Sequence, residues 1–241
     1  MSASRSVAVS VVIPTHNRAH LVDRAIRSVQ AQTTSDWELL VVDDGSTDTT
    51  PTTVSAHADP RLVLLRLARN GGVSVARNVG IRAARGTWVA FLDDDNEWLP
   101  GKLERQLARA ATWEGSRDPL IYSAHLRRRG TIQQTVPTAG VMVGEDAFRR
   151  IVCGWHPLMS GVILRRSTLL EVGGFDEALV SFEDHDFYLR LAAAGVPFAP
   201  EPAPLVIRHE HGDRQISQDP RRLASGLRIL ERKWAASIET R

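Results

Sequence analysis

Four apolar runs, at residues 7–13, 37–43, 61–67 and 87–92, punctuate the first hundred residues, and a helix-patterned or turn-rich stretch separates each from the next. This alternation constrains the fold more than any other feature. VAVSVVI is dense in β-branched residues, and WELLVVD, RLVLLRL and TWVAFL are apolar runs of strand length, as strands buried on both faces read. Between the first two, residues 20–32 space Leu21, Val22, Ala25, Ile26 and Val29 as one helical face. DGSTDTTPTT offers Ser46, Thr47 or Asp48 as a helix cap. NGGVSVARNVGIRAARG reads as a helix opened by glycines and closed at Gly86, and Pro100 is expected to begin the next one. Such strand–helix repetition predicts a mainly parallel central sheet flanked by helices, a Rossmann-like α/β domain.

The second half is less regular. LIYSAHLRRR and GTIQQTVPT are expected as strands or a hairpin turning at Gly130. Residues 159–166, MSGVILRR, read as a strand that leads into a short helix over 167–172. FEDHDFYLRLAAAG is expected as a helix with acids in its first turn and Gly195 past its end. PFAPEPAP reads as a connection to a short strand, LVIRHEHG. A final helix over 220–238 carries Leu223, Leu227, Leu230 and Trp234, a docking stripe. With no internal repeat and no long linker, a single domain over 1–241 is expected.

Composition narrows the setting. Apolar residues are 43% and charged residues 24%, ordinary for a soluble globular chain. No apolar stretch approaches the ~20 residues of a spanning helix, so no transmembrane segment is expected. Cys153 is the only cysteine, which rules out an intramolecular disulfide and favours a reducing, cytoplasmic compartment. Its apolar neighbours predict a buried thiol. The net charge is only +2, yet Arg127 to Arg129 form a run, and Arg149 with Arg150, Arg165 with Arg166, and Arg221 with Arg222 form pairs. A solvated face explains them most simply; an anionic substrate, or peripheral contact with the inner face of the membrane, is the sharper reading. Nucleic acid is not expected, because zinc-knuckle spacing, RNP-like aromatics and a basic stripe are all missing.

Asp93, Asp94 and Asp95 follow the fourth apolar run directly. Adjacent carboxylates repel, and burying them without partners is very costly. A hard divalent cation with oxygen ligands relieves both problems. Open α/β sheets bind ligands beyond the carboxyl ends of their strands. Thr15, His16 and Asn17 lie beyond the first run, Asp43 and Asp44 beyond the second, and Asp93 to Asp95 beyond the fourth. Polar and acidic residues are thus expected to converge on one rim.

VSVVIPTHNR, WELLVVDDGSTD, NGGVSVARNVGI, VAFLDDDNEWLP, GGFDE and FEDHDFYLRL occur in this order across residues 7–212. Together they resemble the inverting, nucleotide-sugar-dependent glycosyltransferases of family 2, whose fold is GT-A. The resemblance implies a single GT-A domain with a nucleotide-sugar-binding half over 1–98, an acceptor and catalytic half over 99–218, and a C-terminal helix over 219–241. It implies that Pro14 and Thr15 line the base pocket, with Asn17 and Arg18 in the same segment, and that Asp44 meets the base edge. Arg77 helps hold the nucleotide, Asp93 and Asp94 lie near the ribose and sugar, and Asp95 ligates Mn²⁺ or Mg²⁺. His209 or His211 joins the metal or pyrophosphate, and Asp184 is the catalytic base. The implied reaction is single displacement from a nucleotide diphosphate sugar, with UDP favoured, to a hydroxyl on a glycan, lipid-linked sugar, protein or small molecule.

The residues also have plainer readings. Asp184 and Glu183 could serve only as first-turn acids, Asp43 and Asp44 only as turn formers, and Gly71-Gly72 as a phosphate cradle or a tight helix start. Trp155, His156 and Met159 either border the acceptor or pack. A nucleotidyltransferase is the rival enzyme, but PTHNRAH lacks the glycines of a phosphate loop. A catalytically silent nucleotide-sugar-binding module is the rival outside catalysis.

Overall fold

Each of the four apolar runs is a strand in the computed structural model, which describes residues 7–210 and 220–239. In chain order the elements are β1 (Val9–Thr15), α1 (Ala19–Gln30), β2 (Trp37–Asp43), α2 (Thr50–Ser55), β3 (Leu62–Arg66), α3 (Val73–Ala83), β4 (Trp88–Phe91) and β5 (Asn96–Trp98). There follow α4 (Lys102–Ala111), β6 (Leu120–Arg129), β7 (Ile132–Val136), α5 (Gly144–Val152) and β8 (Val162–Arg165). The chain continues through α6 (Arg166–Glu171), α7 (Glu183–Ala193), β9 (Phe198–His209) and α8 (Pro220–Glu239).

All nine strands belong to one sheet ordered β3-β2-β1-β4-β8-β6-β9-β5, with β7 hairpinned onto β6. The first four are mutually parallel. β8 runs antiparallel to β4 and to β6, while β9 is parallel to β6 and antiparallel to β5. The carboxyl ends of β1, β2, β3, β4, β6 and β9 therefore point to the same rim.

Side chains alternate across the pleat, so each strand feeds two cores. On one face Val12, Val42, Phe91 and Leu164 meet α3, α5 and α7. On the other Val11, Ile13, Leu39 and Ala90 meet α1 and α4. Phe175 stacks on Phe187 at 4.5 Å and meets Phe91 edge-on at 5.4 Å. Truncating Phe187, which is fully buried, would cost about 3–5 kcal/mol. α3 lies directly on β1: a Cβ on Gly80 would sit 2.4 Å from Cγ1 of Val12. That close approach carries the start of α3 to the strand-end rim.

Several expectations need correction. α3 ends at Ala83, not at Gly86; Gly86 is instead required by contact, since its Cβ would lie 2.5 Å from the Ser10 amide nitrogen. α4 begins at Lys102 rather than Pro100. Met159–Gly161 forms a 3₁₀ turn before β8. PFAPEPAP belongs to β9, a strand of 12 residues whose register against β6 shifts around Ala124. Prolines remove ladder donors and resist central strands, and these shifts accommodate them. Cys153 is exposed, not buried, because α5 ends at Val152 and turns it outward.

α8 docks through part of its expected stripe. Trp234 is buried against Phe148 with ring centroids 5.5 Å apart, whereas Leu227 is 44% exposed. The Trp234 indole donates to Oδ1 of fully buried Asp186 at 3.0 Å, and Lys233 pairs with the same carboxylate at 3.0 Å. Among the described residues, no helix is long and apolar enough to cross a membrane.

Candidate active site

The end of β4 delivers three carboxylates to the rim, and each finds different partners. Asp93 accepts from Arg77 at 2.8 Å and from the Ser160 hydroxyl at 2.9 Å. Ser160 also accepts from the Asp93 amide and from Asn96. Asp94 accepts from the Thr15 hydroxyl at 2.8 Å. Arg18, at the start of α1, lies 3.4 Å from an Asp95 oxygen and 3.8 Å from an Asp94 oxygen. Arg24, further along the same helix, donates to the Asp95 carbonyl at 2.7 Å. Burial pushes the Asp94 carboxyl up to about 7; Arg18 opposes this, and the neighbouring Asp95 reinforces it.

Arg77 links this run to a distant part of the chain. Its side chain is 5% exposed; one amino group meets Asp93 at 2.8 Å and the other meets Glu183 at 3.0 Å. Glu183 starts α7 and Asp184 follows it. Burial raises the Glu183 carboxyl above its ordinary value, opposed by Arg77 and reinforced by Asp184. The Asp184 carboxylate accepts from the His185 amide at 2.8 Å within the first turn, and His156 lies 3.9 Å from its second oxygen. The residue before the helix, Phe182, has φ 62°, a left-handed conformation uncommon for a bulky side chain. The aspartate run and the start of α7 thus share one rim.

The preceding GGFDE segment is held by α3. Asn78 accepts from the Phe175 amide at 2.8 Å and donates to the Phe175 carbonyl at 2.8 Å and to Glu177 at 2.9 Å. Arg77 and Asn78 are adjacent on α3, so a single helix turn positions both segments that lead to Asp184.

The loops after β1 and β2 are knitted together. Asn17, at φ 52°, accepts from the amides of Thr47 and Asp48, while its own amide donates to Ser46. Asp44 is 3% exposed and accepts from the amides of Gly71 and Gly72 at 2.7 and 2.8 Å. These two glycine donors are consequently taken by a protein carboxylate, which favours the tight helix start over a phosphate cradle. Pro14 is buried in β1 opposite Val42.

Other residues divide. His156 stacks on Tyr188 and sits beside Asp184, whereas Trp155 packs on Tyr122 and Met159 is buried. His209, the last residue of β9, lies 3.2 Å from Glu97; burial and nearby Arg24 hold its pKa low. His211 lies outside the described residues. Among the described residues there is no cluster of three or more His, Cys, Asp or Glu side chains poised around one point. Ser160 and Arg24 were not legible from sequence: a serine in an apolar run and an arginine on an amphipathic helix carry no signal of what they will touch.

Comparison with known proteins bears on the family and the fold. Residues 10–122 match the profile of glycosyl transferase family 2. WcaA of Escherichia coli, provisionally named a colanic acid biosynthesis glycosyl transferase, is 28% identical over 90% of this chain and 77% of its own length. The Escherichia coli enzyme WfgD, UDP-Glc:alpha-D-GlcNAc-diphosphoundecaprenol beta-1,3-glucosyltransferase, is 41% identical, but over 42% of this chain and 40% of its own. The crystal structure of S. aureus TarS in complex with UDP-GlcNAc superposes with a TM-score of 0.75 at 23% identity, over 88% of this chain and 61% of that one. The fold is thus GT-A, and residues 10–122 carry the sequence pattern of glycosyl transferase family 2.

Proposed function

We propose that this protein transfers a sugar from a nucleotide diphosphate donor, a UDP-sugar by preference, to a hydroxyl of a growing cell-surface polysaccharide or its lipid-linked precursor, with inversion. The observation that carries the reading is the Arg77 bridge, which brings Asp93 and the start of α7 to one rim. The named relatives support the substrate class: WfgD uses UDP-Glc, and TarS was crystallised with UDP-GlcNAc.

In this reading Pro14, Thr15, Asn17, Arg18 and Asp44 form the nucleotide side, and Asp93 and Asp94 meet the ribose and sugar. The oxygens of the run are hard donors suited to Mn²⁺ or Mg²⁺, and the raised Asp94 carboxyl marks a place that gains from added positive charge. Asp95, joined by His209 or His211, would hold the cation, which when bound supplies Lewis-acid stabilisation of charge on the leaving diphosphate. Asp184 takes the proton of the acceptor hydroxyl as it attacks the anomeric carbon from the opposite side. One base suffices for this single displacement, and inversion follows. Arg77, engaged by Asp93 and Glu183, acts with Glu183 to fix the backbone from which Asp184 works.

Two variants test the reading. Asp184→Asn is expected to keep UDP affinity while transfer falls by at least about 10²-fold, the scale of a lost general base. Asp95→Ala is expected to abolish the Mn²⁺-dependent part of UDP binding measured by calorimetry. Residual turnover near wild type in the first, or unchanged Mn²⁺ dependence in the second, would contradict the assignment.

A further inference from the structure

The hairpin formed by β6 and β7 continues past the rim on which the candidate site lies. β6 pairs with β9 up to Arg128 opposite His209, the last residue of β9, and the Glu210 amide donates to the Arg128 carbonyl. Beyond that point, among the described residues, the hairpin pairs only with itself, Arg129 opposite Ile132, and turns through Gly130 at φ 57°. His209 in turn meets Glu97 of β5, which begins directly after the aspartate run. The tip therefore stands at the edge of the site's opening.

Its composition is unusual for a free hairpin end. Ile132 is 70% exposed, the most exposed large apolar side chain among the described residues. Arg127, Arg128 and Arg129 flank it on β6, and β7 supplies only Gln133, Gln134 and Thr135 before Val136. Several other clustered arginines are paired: Arg149 with Glu145, Arg150 with Asp146 and Arg165 with Asp118. In the hairpin Glu210 pairs with Arg127 at 3.3 Å, and Arg128 donates to the uncharged Gln133. Among the described residues neither Arg128 nor Arg129 has a carboxylate partner. An exposed aliphatic tip beside two cations that have no carboxylate partner among the described residues complements a surface that is apolar below and anionic above.

We infer that the β6–β7 hairpin docks this protein on an anionic lipid bilayer, with Ile132 entering the headgroup layer and Arg128 and Arg129 meeting lipid phosphates. Docking there turns the rim of the sheet toward the bilayer, so an acceptor anchored in lipid meets the site without leaving the membrane. The inference goes beyond sugar transfer, and its test needs no donor.

The experiment is sedimentation of the full chain with vesicles of phosphatidylcholine alone and of phosphatidylcholine mixed equally with phosphatidylglycerol. Wild type is expected to bind the anionic vesicles only, and less at high salt, because the surface attraction is screened. Arg128→Gln with Arg129→Gln is expected to lower partitioning about 25-fold, roughly five-fold per cation near an anionic leaflet. Ile132→Asp is expected to lower it about ten-fold. Exposed tip residues leave the melting temperature and UDP affinity of all these variants unchanged. As a second readout, Ile132→Trp adds an indole at the tip whose extra emission is expected to shift to the blue only with anionic vesicles. Wild-type indifference to phosphatidylglycerol, full binding by the arginine variant, unshifted emission from the Ile132→Trp variant, or equal binding to soluble RNA would overturn the inference.

Discussion

Replacing Arg77 with Met tests the bridge on which the functional reading depends. The guanidinium is 5% exposed and meets Asp93 at 2.8 Å and Glu183 at 3.0 Å. Methionine fills similar volume but leaves Glu183, whose side chain is 15% exposed, without its cation. Removing one partner of a buried pair typically costs about 3–5 kcal/mol, a large share of the about 5–15 kcal/mol that holds a domain. The melting temperature should fall by about 6–20 °C, at about 2–4 °C per kcal/mol for a chain of this size.

The pH dependence separates this mechanism from simple loss of packing. Burial already raises Glu183 above its ordinary 4.5, and Arg77 is the main opposing influence; removing it raises the carboxyl further. A carboxyl whose folded pKa exceeds its unfolded value binds its proton more tightly when native. Its penalty is therefore absent below 4.5, grows as pH rises above that value, and is complete above the folded pKa. The deficit of Arg77→Met should accordingly be largest near pH 8 and shrink toward pH 5, and adding Glu183→Gln should recover part of it at pH 8. Urea denaturation of wild type and both variants at the two pH values measures this. A deficit below about 1 kcal/mol, or one that is equal at both pH values, would refute the account, since a buried ion pair broken on one side predicts neither.

Further outcomes rest on the same geometry. Asn78→Ala orphans the Phe175 amide and carbonyl, each bonded at 2.8 Å, and should cost about 1–3 kcal/mol per group; transfer should drop while UDP affinity holds, checked by melts and calorimetry. Gly45→Ala places a Cβ 2.6 Å from the Arg69 carbonyl carbon at φ +72°. Backbone cannot yield there as a side chain would, so a loss of at least about 1–3 kcal/mol and weaker UDP binding are expected, measured by urea melts and titration.

Where one local rule decides, sequence and structure agree. β1, β2 and β4 are buried along their whole length, and a continuous apolar run leaves little else for them to be. The convergence of Thr15, Asp44 and the aspartate run followed from sheet topology, because parallel strands present their carboxyl ends together. The first half of β9 was not legible, because its prolines argue locally against a strand and only the shifted register with β6 admits them. Asp186 stands just after Asp184 in an acidic first turn, yet it faces α8 and binds Trp234 and Lys233. Nothing local distinguishes an acid aimed at a ligand from one aimed at a lysine 47 residues later in the chain. Cys153 failed for a similar reason: apolar neighbours forecast burial, but the end of α5 turned it to solvent.

The sheet order also bears on how such an enzyme can be recombined. β5 comes from the first hundred residues, immediately after the acidic run, yet it forms the far edge of the sheet beside β9. Only the short stretch between Phe91 and Asn96 joins it to β4, although β8, β6 and β9 stand between the two in the sheet. The sheet must curl to let so short a tether reach, and the halves on either side of residue 98 are laced together rather than abutted. A chimaera spliced there would take its edge strand from one parent and that strand's hydrogen-bonding neighbour from the other. Exchange of specificity between relatives is therefore better sought in the surface loops than in interchangeable halves.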